Sequence, residues 1–200
     1  MKSKTIVLNS KAGYDLVADY YHKKEKYWDS FEKGEVMPLL GDVKNMKILD
    51  VGAGTGRLAL RLANFGAEVT VLDISEEMLK KIKDSRLKIV IGDAENLSFD
   101  DECFDIVIAT FLIVHIKDLD RFFSEVYRVL KPGGIFLVTN INQRKPPEVK
   151  TSEGMVVVES FYHRPEAVVD ELENLAFTIE KNKFIKEGEV WINQIVLAKK

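Results

Sequence analysis

From Lys47 onward, short apolar, β-branched runs alternate with segments whose apolar positions recur every three or four residues. The runs predict strands at 47–51, 68–73, 88–92, 104–109 and 134–140, and the longer period predicts helices near 57–65, 76–83 and 118–130. Such alternation specifies a parallel sheet covered on both faces, with right-handed crossovers, and places ligands at the carboxyl ends of the strands. In the last of these helices Leu119, Phe122, Phe123, Val126, Val129 and Leu130 form one apolar stripe, a core face, with Asp118 as its cap. Arg128-Val-Leu-Lys-Pro-Gly-Gly134 then supplies basic groups for the last turn, a proline and two glycines, which end the helix.

The two ends of the chain read differently. Residues 1–44 spread Tyr14, Tyr20, Tyr21, Tyr27, Trp28 and Phe31 over a helix-like stretch, a helical cap whose rings either pack on the sheet or form a lid facing a cation. Residues 143–154 read as a mobile connection and 155–162 as an extra strand bordering a substrate entrance. His163 opens a helix with Pro165 in its first turn, Leu175-Ala-Phe177 closes it, and 178–185 pairs with 191–198 as a hairpin whose last strand is antiparallel.

Composition narrows the classes. Two hundred residues, 46% hydrophobic, are enough for one core, so 1–200 reads as a single domain with a cap at 1–44 and a core at 45–200. A net charge of −3 provides no global basic field, hence no strong nucleic-acid signal. The single Cys103 forms no internal disulfide, and no Cys/His cluster has zinc-ligand spacing, which points to a cytoplasmic protein without a metal. The first residues contain only a three-residue apolar run, too short for a signal peptide, and no 18-residue apolar span follows.

Candidate chemistry concentrates at strand ends. In Ile48-Leu-Asp-Val-Gly-Ala-Gly-Thr-Gly-Arg57 an apolar run ends in an acid and is followed by three alternating glycines and a helical segment. Gly52, Gly54 and Gly56 can take positive φ, and the N–H groups of turn and helix form a seat for an anionic or carboxylate-bearing group. The spacing G-x-G-x-G followed by Arg57 departs from the dinucleotide pattern G-x-G-x-x-G, which makes a dehydrogenase the weakest rival. The second strand ends in Asp73, 17 residues past Gly56, where a carboxylate can accept two hydrogen bonds from ribose hydroxyls; Ser75 reads as the cap of the next helix.

These stretches together resemble the class I S-adenosylmethionine-dependent methyltransferases, most closely their type 11, ubiquinone/menaquinone-biosynthesis-like, small-molecule branch. The carrying phrases are Asp50-x-Gly-x-Gly-x-Gly56, Asp73, Gly92-Asp-Ala-Glu-Asn-Leu-Ser-Phe99, Phe104-Asp-Ile-Val-Ile-Ala109 and Leu130-Lys-Pro-Gly-Gly134. The resemblance implies a Rossmann-like, doubly wound, seven-stranded and mostly parallel sheet with an antiparallel last strand. It implies S-adenosylmethionine as cofactor and S-adenosylhomocysteine as product. Asp50, Gly52, Ala53, Gly54, Thr55 and Gly56 would hold the methionine end, Asp73 with Ile74 the ribose, Asp93 and Ala94 the adenine, and Thr110 the floor near the methyl.

Tyr14-Asp-Leu-Val-Ala-Asp-Tyr-Tyr21 resembles the family's N-terminal pattern, in which the residue at Tyr21 closes over the cofactor. By the same resemblance His115 is the leading base candidate, and Tyr14, Tyr21, Trp28, His115 and Asn140 face the methyl acceptor, with Asn142 beside them. Cys103 precedes its strand and is a poor nucleophile, and no Asn-Pro-Pro or Asp-Pro-Pro signature follows that strand, so the acceptor is a small molecule rather than a nucleobase. An RNA or protein methyltransferase and a non-catalytic S-adenosylmethionine-binding protein remain the alternatives, with a monomer or homodimer as assembly.

Overall fold

The computed structural model describes residues 5–21, 25–146, 148–151 and 154–200. The chain opens with β1 (Thr5–Leu8), α1 (Ser10–Tyr21), α2 (Glu25–Glu32) and α3 (Val36–Leu40). Then come β2 (Lys47–Val51), α4 (Arg57–Asn64), β3 (Glu68–Asp73), α5 (Glu76–Leu79), β4 (Lys88–Ile91) and β5 (Phe104–Ala109). A 3-10 turn at Ile113–His115 leads to α6 (Leu119–Val129), β6 (Leu130–Ile141), β7 (Glu148–Thr151) and β8 (Gly154–Val158). The chain ends in α7 (Pro165–Asn174), β9 (Thr178–Glu187) and β10 (Val190–Lys199).

The main sheet has seven strands in the order β4-β3-β2-β5-β6-β10-β9. Neighbours pair in parallel from β4 to β6, while β10 runs antiparallel to both β6 and β9. The order reverses between β2 and β5, which opens a crevice at their carboxyl ends. Register aligns Asp50 with Val71 and Asp73 with Ile91, so the acids near the ends of β2 and β3 both lie toward the carboxyl ends of the strands.

Both faces are covered, which is why the central strands read as unbroken apolar runs. On one face Phe122, Phe123 and Val126 of α6 and Leu172 of α7 pack on Val107, Phe136 and Val138. On the other, Leu58 and Leu62 of α4 with Val36 and Leu40 of α3 cover Ile48, Val71, Ile106 and Ile108. Ser75 caps α5 by accepting from the Met78 N–H at 3.2 Å, and Asp118 caps α6 by accepting from Arg121.

Four elements differ from expectation. The helix after Ser75 closes at Leu79 instead of reaching 83. The strand expected from 134 begins at Leu130, which pairs with Phe104 ahead of a register shift, so the Lys-Pro-Gly-Gly segment lies inside an irregular strand end. The cap is not wholly helical, because β1 pairs in parallel with β8, which pairs antiparallel with β7 in a separate sheet of order β1-β8-β7. The connection expected to be mobile thus contains β7, and the strand expected from 155 is β8.

Candidate cofactor and acceptor site

After Val51 the chain bends through Gly52 (φ 69°) and Gly54 (φ 56°), a conformation L side chains rarely adopt. The Gly52 and Ala53 N–H groups donate to the Leu72 carbonyl at 2.7 and 3.1 Å, fastening the loop to β3. A Cβ on Gly52 would stand 2.7 Å from Leu112 Cδ1, and one on Gly54 would stand 3.3 Å from Met78 and 3.7 Å from Tyr21. The loop is therefore backbone surface on which another molecule can lie.

Asp73 faces this loop. Its Oδ2 accepts from the Gly54 N–H and its Oδ1 from the Ser75 N–H, both at 2.8 Å. Burial pushes its carboxyl above the ordinary range while the Ser75 and Gly54 amides pull it back down. The Ile74 amide also acts on this carboxylate, and of its acceptor sites at least one remains for a further donor.

A cavity of about 340 Å³ extends from the loop across the strand ends. Gly52, Gly54, Asp73 and Ile74 form one wall, Asp93 and Ala94 the next, Thr110 and His115 the third, and Tyr14 and Tyr21 of α1 close it. Ala53, Thr55 and Gly56 lie outside this lining; they shape the turn, with Gly56 as the residue before α4 and its N–H on the Ala53 carbonyl. Asp50 also stands behind the loop, 2% exposed, and burial raises its carboxyl to about 7 against the pull of the Arg57 guanidinium.

Tyr14 and His115 form a directed pair. His115 Nδ1 lies 2.8 Å from the Glu159 carbonyl, which only accepts, so Nδ1 carries the proton. The opposite nitrogen, Nε2, then accepts from the Tyr14 hydroxyl at 2.6 Å. Burial lowers the His115 pKa and raises that of Tyr14, so both groups are neutral near pH 7.

A second cavity of about 620 Å³ shares Tyr14 and Tyr21 with the first. Trp28 lies on its wall and stacks on Tyr21 with centroids 5.0 Å apart, and Phe31, Tyr20, Tyr27 and Trp191 add further rings. The cap aromatics thus line a chamber as well as packing. Asn142 is also on this wall, its Nδ2 donating to the Trp191 carbonyl at 2.8 Å.

Asn140 corrects the acceptor-side expectation. It lines neither cavity and is 2% exposed, its Nδ2 donating to the His163 carbonyl and to Gln194 Oε1, both at 3.1 Å. The cause is strand length: β6 runs on to Ile141, so Asn140 is an interior cross-strand position rather than a loop residue. His163 ties the start of α7 to the 3-10 turn, with Nε2 facing the Ile113 and Ile116 carbonyls at 3.0 and 2.8 Å.

Two functional neighbours carried little sequence signal. Arg57 was legible only as the residue that breaks the dinucleotide spacing, yet its guanidinium grips both Glu32 oxygens at 2.7 and 2.9 Å and Asp29 at 2.6 Å, pinning α2 to α4. Phe111, at φ 60°, is held by its N–H on Thr139 Oγ1 at 2.9 Å and lies under Arg57 at 5.7 Å and beside Trp28 at 5.4 Å. Its partner lies in β6, so no local pattern marks it.

Comparison with known proteins agrees with this geometry. A methyltransferase-domain family profile, type 11, matches residues 49–138. The chain is 33% identical over 166 residues to a demethylmenaquinone methyltransferase of Leptospira interrogans, covering 71% of this chain and 66% of that one. It is 35% identical over 106 residues to the sterol 4-C-methyltransferase strm-1 of Caenorhabditis elegans, covering 49% of this chain and 32% of that one. A solved Pyrococcus horikoshii structure superimposes with a TM-score of 0.71 at 28% identity, over 86% of this chain and 90% of that one. The chain thus spans about a third of the C. elegans relative and just under two thirds of the Leptospira one. Among the described residues no helix is long and apolar enough to cross a membrane. With the motifs in order, the reversed strand order and the glycine loop facing a carboxylate, the chain belongs to the class I S-adenosylmethionine-dependent methyltransferases, in their type 11 family.

Proposed function

We propose that the chain moves a methyl group from S-adenosylmethionine to a small-molecule acceptor by in-line displacement, leaving S-adenosylhomocysteine. The observation that carries this reading is the meeting of two cavities at Tyr14 and Tyr21, one walled by the glycine loop and strand-end acids, the other by rings. The residues fit the cofactor, since a Cβ at Gly54 would fill space beside Tyr21 and Asp73 keeps an acceptor site for a sugar hydroxyl. Bound there, it supplies a methyl already activated by a positively charged sulfur.

The chain's own residues hold, align and keep out water. Asp73 accepts from the ribose, Asp93 and the Ala94 N–H meet the base, Thr110 forms the floor, and the ring faces of Tyr14 and Tyr21 favour the positive sulfur. Asp50 orders the loop from behind. Where the acceptor must lose a proton, it passes to the Tyr14 oxygen while the Tyr14 proton passes to His115 Nε2, and Nδ1–H stays on Glu159. The names of the Leptospira and C. elegans relatives support a small acceptor. The lone cysteine supports a cytoplasmic setting, and a monomer or homodimer is the assembly this reading takes.

Calorimetry with S-adenosylhomocysteine, NAD and NADP tests the cofactor, and labelled methyl transfer into a metabolite extract treated with nuclease and protease tests the acceptor class. We expect S-adenosylhomocysteine alone to bind and the label to stay in the small-molecule fraction. No uptake, or uptake that Asp73→Ala leaves unchanged, overturns the reading.

A further inference from the structure

Two walls of the first cavity are joined by a chain of hydrogen bonds that runs outside it. Neither Asp15 of α1 nor Ser75, the cap of α5, lines that cavity, and Ser75 is fully buried. The Ser75 hydroxyl donates to Asp15 Oδ1 at 2.6 Å, and because a carboxylate only accepts, the single hydroxyl hydrogen is committed to α1. A lone pair of the same oxygen accepts the Met78 N–H at 3.2 Å, while the Ser75 N–H donates to Asp73 Oδ1 at 2.8 Å. Burial favours the neutral form of Asp15, but the bonds from Ser75 and Lys11 outweigh it and hold the carboxyl below its ordinary value, so the hydroxyl meets a charged acceptor near pH 7.

One residue therefore holds both sides of the site. Its hydroxyl fastens the helix that carries Tyr14 and Tyr21, and its N–H fastens the acid that faces the glycine loop. Ser10, Lys11, Tyr14 and Tyr21 of α1 lie on the cavity wall, so the seating of α1 decides whether that wall is complete. One turn past Asp15, Asp19 pairs with Lys81, two residues beyond α5, so the helix is tied to this segment at two successive turns. Removing the Asp15 carboxylate leaves a fully buried hydroxyl hydrogen without its acceptor unless α1 lifts and lets water in, which favours the undocked arrangement.

We propose, resting on the methyl-transfer reading above, that Asp15 is a positioning residue for the cofactor, joining through Ser75 the docking of α1 to the grip of Asp73 on the ribose. It acts from outside the cavity. A ligand that needs both walls binds only molecules in which α1 is docked, so its apparent affinity scales with the docked fraction. By reciprocity, a bound cofactor holds α1 down. Asp15 and Ser75 work as one unit, and losing either removes the same link.

Calorimetry with S-adenosylhomocysteine on the full chain reads the link. Asp15→Ala and Ser75→Ala should each bind about tenfold or more weakly than the parent, and the double variant about as weakly as the poorer single one. Asp15→Asn keeps an oxygen for the Ser75 hydroxyl and should bind more tightly than Asp15→Ala. Hydrogen exchange separates positioning from plain stability: in Asp15→Ala without ligand the α1 amides should exchange faster than in the parent while those of β2 and β3 do not, and saturating S-adenosylhomocysteine should restore their protection. Ser75→Ala carries the same tests should Asp15→Ala fail to fold. Affinity equal to the parent in both single variants, losses that multiply in the double variant, Asp15→Asn as weak as Asp15→Ala, or unchanged exchange in α1 overturns the proposal. In all those cases uptake of S-adenosylhomocysteine by the parent leaves the methyl-transfer reading standing, whereas a parent that takes up none strikes the reading itself.

Discussion

Removing Arg57 should expose how the aromatic cap is held on the glycine-loop helix. Arg57 lies just past the third glycine, and its guanidinium meets Glu32 in two parallel bonds of 2.7 and 2.9 Å. Glu32 is 3% exposed, so in Arg57→Met its carboxylate is left buried with neither cation nor water. Asp29 fares better, being 34% exposed at its side chain and still paired with Arg61 at 2.6 Å. Removing one partner of a buried pair costs about 3–5 kcal/mol, because the other charge stays buried and uncompensated. For a chain of this size that corresponds to a drop in Tm of about 6–20 °C. Urea unfolding at pH 7 checks it, with Glu32→Gln added to the variant expected to recover most of the loss. A loss below about 1 kcal/mol, or a double variant no better than the single one, refutes the argument.

Asp50→Asn should act in the opposite direction. Burial lifts the Asp50 carboxyl to about 7, above its unfolded value, so this group's contribution to stability declines from about pH 4 to pH 7 and then levels. The variant should lose that decline and gain up to about 4 kcal/mol at pH 8, read by urea unfolding; a variant less stable than the parent at pH 8 refutes this. Gly54→Val places branched carbons in the first cavity at a φ of 56°, and S-adenosylhomocysteine should bind about tenfold more weakly or worse by calorimetry, with unchanged affinity as the refuting result. Tyr14→Phe and His115→Ala should each lower kcat by about 10²–10⁴ where the acceptor must be deprotonated early. Because burial lowers the His115 pKa, the acid limb of kcat/KM should lie below the ordinary histidine value and vanish in His115→Ala. A limb that persists in that variant assigns the titration elsewhere.

What was legible in the chain tracks how local its physics is. Val69, Val71, Ile106 and Ile108 announce buried parallel strands because both faces of the sheet are covered, and Ser75 and Asp118 announce helix starts because a cap is satisfied within three residues. β1 was not legible: its partner β8 lies far along the chain, and four residues carry too little periodicity to betray the pairing. Asn140 shows the same limit at one residue. A polar side chain near a strand's carboxyl end reads as part of a site, but the register sets Asn140 opposite Gln194, and the two amides bond across the strands. Two positions further on the ladder has ended, and Asn142 and Gln143 keep an acceptor and a donor that nothing in the described chain takes up. The difference between these neighbours follows from where the β6–β10 register ends, at Asn193 opposite Ile141, and not from residue type, since Asn140, Asn142 and Gln143 carry the same amide. A pairing between residues 52 positions apart, which no local pattern announces, thus sets which of them lies inside the ladder.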